Sequence, residues 1–177
     1  MKKIITVIVG FVFLILFSSC ARTIYFTQDM RDNLRKNYLT VDKIQFYNSK
    51  KIVLQRNLTY AETKVARGKI NFDNGQYVES IIIPKNTPGV AVGEGHNFIN
   101  VSFENGNNNF LRFVLNSNNE YQISAEKWNK GYGKVKYDTL TYYISPKSSK
   151  AVLKVIKNNN FNFQKKTRRL KGRTIGK

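Results

Sequence analysis

Side chains able to carry covalent or acid–base chemistry are scarce in this chain: 177 residues contain one cysteine, Cys20, and one histidine, His96. A single thiol closes no intramolecular disulfide, and a single imidazole builds no histidine metal cluster. His96 stands in Gly93-Glu94-Gly95-His96, read as a loop between strands, and nothing marks a partner for it in a Ser-His-Asp set. Gly89, Gly93 and Gly95 are not followed by the Gly-Lys-Ser/Thr of a phosphate loop, so they read as permitting a tight bend. Glu79, Glu94, Glu104, Glu120 and Glu126 could supply a paired-carboxylate site only if the fold set their separation. The expectation is a non-enzyme without metal or cofactor that binds through charge and aromatic surface. Trp128, in the basic aromatic stretch Lys127-Trp128-Asn129-Lys130-Gly131-Tyr132-Gly133, and Arg112, Lys134 and Lys136 are the candidate contacts within the folded body. The more common role of such a Trp, packing over the end of the β structure, is the first reading of Trp128, and a contact site the second.

Charge is the second signal. The chain has 30 Lys+Arg against 11 Asp+Glu, a formal charge of +19. No acidic residue follows Asp138, whereas Lys165, Lys166, Arg168, Arg169, Lys171, Arg173 and Lys177 crowd the last stretch. This tail is expected to be disordered; it either only keeps the protein soluble or binds an anionic surface, where each basic residue contributes about 1 kcal/mol. Basic strands interleaved with Tyr and Phe could also track a nucleic acid, but alternating aromatics read as core, and nucleic acid is not the expected partner.

The elements that would place these residues begin at the N-terminus. Met1-Lys2-Lys3 leads into an apolar segment from Ile4 to Phe17, then Ser18-Ser19-Cys20. A charged start, a short apolar run and small residues make a secretory signal, too short for the roughly 20 residues of a spanning helix. Leu16-Phe17-Ser18-Ser19-Cys20 resembles the lipobox of bacterial lipoproteins, with Phe17 where Leu is commonest. That resemblance implies cleavage before Cys20, a diacylglycerol thioether on its sulfur and a further acyl chain on the new amino group. Removal of residues 1–19 leaves 158 residues with a charge of +17, one domain's length. Nothing acidic follows the lipidated position in Ala21-Arg22-Thr23. The resemblance therefore implies the outer membrane, periplasmic face.

Residues 20–40 read as anchor, tether and one short helix. Thr27 is the N-cap, Asp29 and Asp32 lie near the positive end, Arg35 and Lys36 near the negative end, and Met30, Leu34 and Tyr38 share a face. Residues 41–157 read as an all-β domain, a single meandering barrel or a sandwich, with the basic tail at 158–177. Hairpins are expected where Asn, Gly, Ser and Asp separate alternating runs: Lys43 to Tyr47 with Lys51 to Arg56, Lys69 to Phe72 with Tyr77 to Pro84, Phe98 to Glu104 with Asn109 to Leu115, and Lys134 to Tyr137 with Leu140 to Ile144. Glu120 to Ser124 and Ala151 to Ile156 complete the strands. Ile99, Val101, Phe103, Leu111, Phe113, Leu115, Tyr121, Ile123, Leu140, Tyr142 and Ile144 are the expected inward residues. Asn100, Ser102, Arg112, Lys134 and Lys136 fall on the other parity, read as one basic, polar side. Ile83 to Val90 reads as strand end, Pro-Gly turn and new strand, which resembles small barrels of the Src-homology type.

Two functional expectations follow. The first is an anchoring or docking subunit of a cell-envelope assembly, such as a secretion or injection machine, held by its lipid. The second is a binding module for anionic glycan, cell-wall polymer or lipopolysaccharide.

Overall fold

Period-two burial runs through most of the chain and builds thirteen strands in the computed structural model, which describes residues 22–59, 62, 71–73 and 76–157. In chain order these are β1 (Thr23–Tyr25), β2 (Gln45–Asn48), β3 (Ile52–Asn57), β4 (Asn71–Asp73), β5 (Gln76–Ile83), β6 (Pro88–Glu94) and β7 (Phe98–Ser102). They continue with β8 (Phe110–Leu115), β9 (Tyr121–Ile123), β10 (Lys127–Asn129), β11 (Tyr132–Tyr137), β12 (Leu140–Ile144) and β13 (Leu153–Ile156). One α-helix, α1 (Gln28–Lys36), lies between β1 and β2. The strands form two antiparallel sheets, ordered β1-β13-β2-β6-β7-β8-β9 and β10-β11-β12-β3-β5-β4. Neither closes into a barrel, so a sandwich fits and the Src-homology likeness does not extend to the architecture. The signal segment, Cys20, and the tail residues Lys165, Lys166, Arg168, Arg169, Lys171 and Arg173 lie outside the described residues.

The core lies between the sheets. Phe46, Ile99, Val101, Leu111, Phe113, Leu153 and Val155 face it from one side, and Ile52, Leu54, Ile83, Val135, Tyr142 and Ile144 from the other. Each such side chain contributes about 1.5–3 kcal/mol on burial. The expected hairpins β4–β5, β7–β8 and β11–β12 are present. The expected hairpin of β2 with β3 is not: β2 pairs with β13 and β6, while β3 pairs with β12 and β5 in the other sheet. The buried Asn48 amide fixes this crossing by donating to the carbonyls of Lys50 and Pro84, both at 2.7 Å.

Several further expectations are corrected. Thr23–Tyr25 is a strand rather than tether, because Ile24 and Phe26 alternate inward and β1 pairs along β13. The turn after β5 is Pro84 to Thr87, with Asn86 at φ 63°, and Pro88-Gly89 belongs to β6. Gly89 is required there because a Cβ would sit 2.8 Å from the side chains of Val101 and Phe103. Tyr38 leaves the helix face: α1 stops at Lys36, Tyr38 takes φ 58°, and its side chain is 97% exposed. Leu140 also lies outward, at the start of β12. Ser102 is buried, its hydroxyl donating towards the carbonyls of Glu104 and Asn109 at 2.6 Å each. The single basic side divides in two, since Arg112 is on the seven-stranded sheet and Lys134 and Lys136 on the six-stranded one.

Helix α1 begins as expected, with the Thr27 hydroxyl accepting from the Met30 N–H at 3.4 Å, and it buries Met30 and Leu34. Its fully buried residue of consequence is Arg31. The Arg31 guanidinium donates to Tyr121 Oη at 2.8 Å, to the carbonyls of His96 and Gly95, and through Nε and Nη2 to Glu94. All of its nitrogens are thus engaged, which is what makes a buried cation tolerable.

Two consequences can be measured. Arg31→Ala leaves these acceptors unanswered and is expected to cost about 3–5 kcal/mol in chemical denaturation; a loss below 1 kcal/mol would show that the network is not structural. In the β11–β12 turn, Asp138 and Thr139 take φ 46° and 67°, the left-handed pair of a tight hairpin, and a β-branched residue is strained there. Thr139→Gly is therefore expected to stabilise the fold by about 0.5–1 kcal/mol, the relief of strain exceeding glycine's entropy cost.

Candidate functional site

Where the two sheets meet, β8 and β11 leave a groove of about 410 Å³ floored by Leu111, Val114, Ala125 and Val135. Arg112 and Lys136 line it, with Glu126 on the same wall. Two sequence candidates are thereby brought together from different sheets. Arg112 is held in place: its guanidinium lies 4.2 Å from the centre of the Phe98 ring, and Nε donates to Asn100 Oδ1 at 3.1 Å. A second depression of about 440 Å³ shares Val114 and Ser124 with the first and is lined by Trp128, Gly131, Gln122 and Lys150. The two adjoin at Val114 and Ser124, with Lys136 and Arg112 lining one and Trp128 the other. Lys134 is not part of it; it lies on β11 opposite Lys127 and Tyr143, on the outer face of the six-stranded sheet.

Trp128 is in a strand, not in a loop. β10 and β11 are joined by a two-residue turn in which Lys130 and Gly131 take φ 46° and 82°, the conformation such hairpins demand. This turns the indole back over Gly133, where a Cβ would fall 2.7 Å from the ring. The side chain is 40% exposed, so it both packs on β11 and presents an edge to the depression. The packing reading of Trp128 is met at Gly133.

A polar cluster at the other end of the six-stranded sheet was not foreseen. Arg56 bonds Glu79 at 2.5 Å and Glu62 at 2.7 Å, and Tyr142 donates to Glu79 at 3.0 Å. Glu62 also accepts from the Thr59 N–H at 2.8 Å while its own N–H donates to the Thr59 hydroxyl, a Thr-x-x-Glu capping box that the spacing could have revealed. Nearby, Tyr137 donates to Glu104 at 2.7 Å. Burial raises the pKa of Tyr137 and of Tyr142, which keeps both as neutral hydrogen-bond donors. These carboxylates are held by the Arg56 guanidinium and by hydroxyls, an arrangement that fixes this part of the sheet.

His96 gives its backbone carbonyl to Arg31, and its side chain is exposed. Among the described residues no three of His, Cys, Asp and Glu gather closely enough to hold a metal ion, and no helix is long and apolar enough to cross a membrane.

The Thr59 backbone N–H, then Arg56 and the Thr59 hydroxyl, hold the Glu62 carboxyl down at about 2. A depressed carboxylate contributes stability that is complete above its unfolded value of about 4.3 and is lost as pH falls through the folded value. Carboxyl NMR should therefore show Glu62 titrating near pH 2. Thr59→Ala or Arg56→Gln should raise that midpoint, and Glu62→Gln should flatten acid destabilisation within this window; a Glu62 midpoint near 4.3 would remove the argument. No known protein family, curated protein or solved structure matches the chain, and the functional reading is carried by its own residues.

Proposed function

We infer that this chain is a non-enzymatic lipoprotein, anchored through a diacylglyceryl Cys20 to the outer membrane and facing the periplasm, where it docks a partner protein of an envelope assembly. The observation that carries this reading is the pairing of the chain's two exits. β1 and β13 run antiparallel with Thr23 opposite Ile156, and the Lys157 N–H donates to the Arg22 carbonyl at 2.8 Å. Only Ala21 and Arg22 separate Cys20 from β1, a reach of about 10 Å. The sequence that continues from Lys157 carries the basic cluster Lys165 to Lys177. A lipid of two or three acyl chains, which by itself makes attachment durable, and a polycationic segment drawn to anionic surfaces thus leave the same edge of the fold.

The groove supports the docking part of the reading. Ser149 and Lys150, which line its Trp128 end, precede β13, whereas Arg22 and Lys157 lie at the far end of that strand. Attachment at one end of β13 leaves the aromatic and basic groove at the other, open to a partner. Trp and Arg are among the residue types enriched where binding energy concentrates, and here a half-exposed Trp and a positioned Arg line adjoining depressions.

Metabolic labelling with a fatty-acid analogue tests the anchor: Cys20→Ala should abolish it, and unchanged labelling would sink the lipoprotein reading. Truncation after Asn162 should leave the thermal transition nearly unchanged, weaken binding to anionic vesicles and flatten its salt dependence. For docking, reversible crosslinking in intact envelopes should recover defined proteins, and Trp128→Ala or Arg112→Glu should reduce their yield at least about tenfold. Full recovery with both variants would move the interface elsewhere.

A further inference from the structure

The outer face of the six-stranded sheet carries a second, chemically different surface. Across β10, β11, β12, β3 and β5 the register aligns Lys127, Lys134, Tyr143, Gln55 and Ser80 in one transverse row. With strands about 4.8 Å apart the row spans about 19 Å. Beside it lies an open trough of about 540 Å³, to which Tyr132, Tyr143, Gln55, Asn57, Gln76 and Thr141 contribute. Tyr132 and Tyr143 are diagonal neighbours on adjacent strands, 46% and 45% exposed.

The row begins with an arrangement that the fold alone does not favour. Lys127 and Lys134 stand directly opposite each other, both exposed, and none of the ion pairs among the described residues involves either of them or Lys136. Like charges facing across a strand pair are destabilising. An anion between them reverses the sign of that interaction. Two strands on, the chemistry changes to exposed aromatic rings, side-chain amides and a hydroxyl. Rings of this kind cover the C–H faces of sugars, and amides donate to and accept from sugar hydroxyls in the same plane.

We propose that this face binds a linear acidic polysaccharide, lying across the strands, with Tyr143 and Tyr132 under its sugar rings, Gln55, Asn57 and Thr141 on its hydroxyls, and Lys127 and Lys134 on its carboxylates. An open trough suits a chain that passes through rather than a small molecule that is enclosed. The site is separate from the Trp128 groove and uses none of the lipid chemistry, so it stands whether or not the docking reading does.

Titration calorimetry on the full mature chain in neutral detergent decides it, with alginate oligosaccharide as the acidic sugar, cello-oligosaccharide as the neutral sugar and polyglutamate as a polyanion without rings. Alginate should bind at least about tenfold more tightly than either control, and Tyr143→Ala and Lys134→Glu should each weaken it about tenfold or more. Trp128→Ala should leave it unchanged. Lys134→Glu should also raise the melting temperature, because it converts a repulsive pair with Lys127 into an attractive one; loss of binding in a more stable protein cannot be a folding defect. Polyglutamate binding as tightly as alginate, or Tyr143→Ala without effect, would overturn the proposal and leave only general charge attraction. Retained alginate binding in Lys134→Glu would likewise overturn it, leaving the paired lysines as protection of the β10 edge.

Discussion

The buried guanidinium of Arg31 is the constraint on which the rest of the sandwich depends. It belongs to the helix that follows β1, at one edge of the seven-stranded sheet, yet it bonds Tyr121 of β9, at the opposite edge, and the carbonyls of the β6–β7 turn. The two edges are brought together around it. Phe26 packs between Phe46 and Tyr121, with ring centres 5.1 and 5.7 Å away, and isolated bridges join Thr27 to Glu120 and Gln122 to Val152. An open sheet exposes two rows of unpaired backbone groups that invite another chain. Here the ends are stitched by single bridges and covered by α1, and the charge that holds α1 down is buried at a desolvation cost that five directed hydrogen bonds offset.

This explains which parts of the fold were legible in the sequence. Hairpins such as β4–β5, β7–β8 and β11–β12 announce themselves because alternation and Asn, Gly or Asp turns are local signals. Alternation says whether a residue faces inward; it does not say which of two sheets a strand joins. Hence β2 and β3 read as a hairpin although the chain crosses the core between them, and Asn48, which fixes the crossing, looked like one more turn asparagine. β1 was hidden for a related reason, since three residues make too short a period and its partner β13 lies more than a hundred residues away. Arg31 gave no signal, because a charged residue on a helix reads as exposed until distant acceptors are placed round it.

The candidate site was legible in residue type and illegible in arrangement. Trp128, Arg112, Lys134 and Lys136 share the chemistry expected of contact residues, but alternation does not say which sheet a strand joins: Arg112 lies outward on the seven-stranded sheet, Lys134 and Lys136 outward on β11 of the six-stranded one, and Trp128, opposite Gly133, on the other parity from those lysines. Arg112 and Lys136 line one groove at the seam between sheets, whereas Lys134, on the same face of β11 as Lys136, pairs with Tyr143 and lies away from that groove. Trp128 joins the first group through the tight Lys130-Gly131 turn, whose left-handed residues return the strand on itself.

The distribution of acidic side chains accounts for why these exteriors are basic at all. Glu94 is engaged by Arg31 and Arg35, Glu62 and Glu79 by Arg56, and Glu104 by Tyr137. Four of only eleven acidic residues are thus committed to holding loops and sheet ends together. Those that remain are too few to neutralise thirty basic residues, and at physiological ionic strength exposed charges more than about 8 Å apart scarcely feel one another. Lysines on neighbouring strands are well inside that distance. Lys127 and Lys134 therefore repel in the free protein, and a fold that keeps them opposed gains most from an anion delivered to that face.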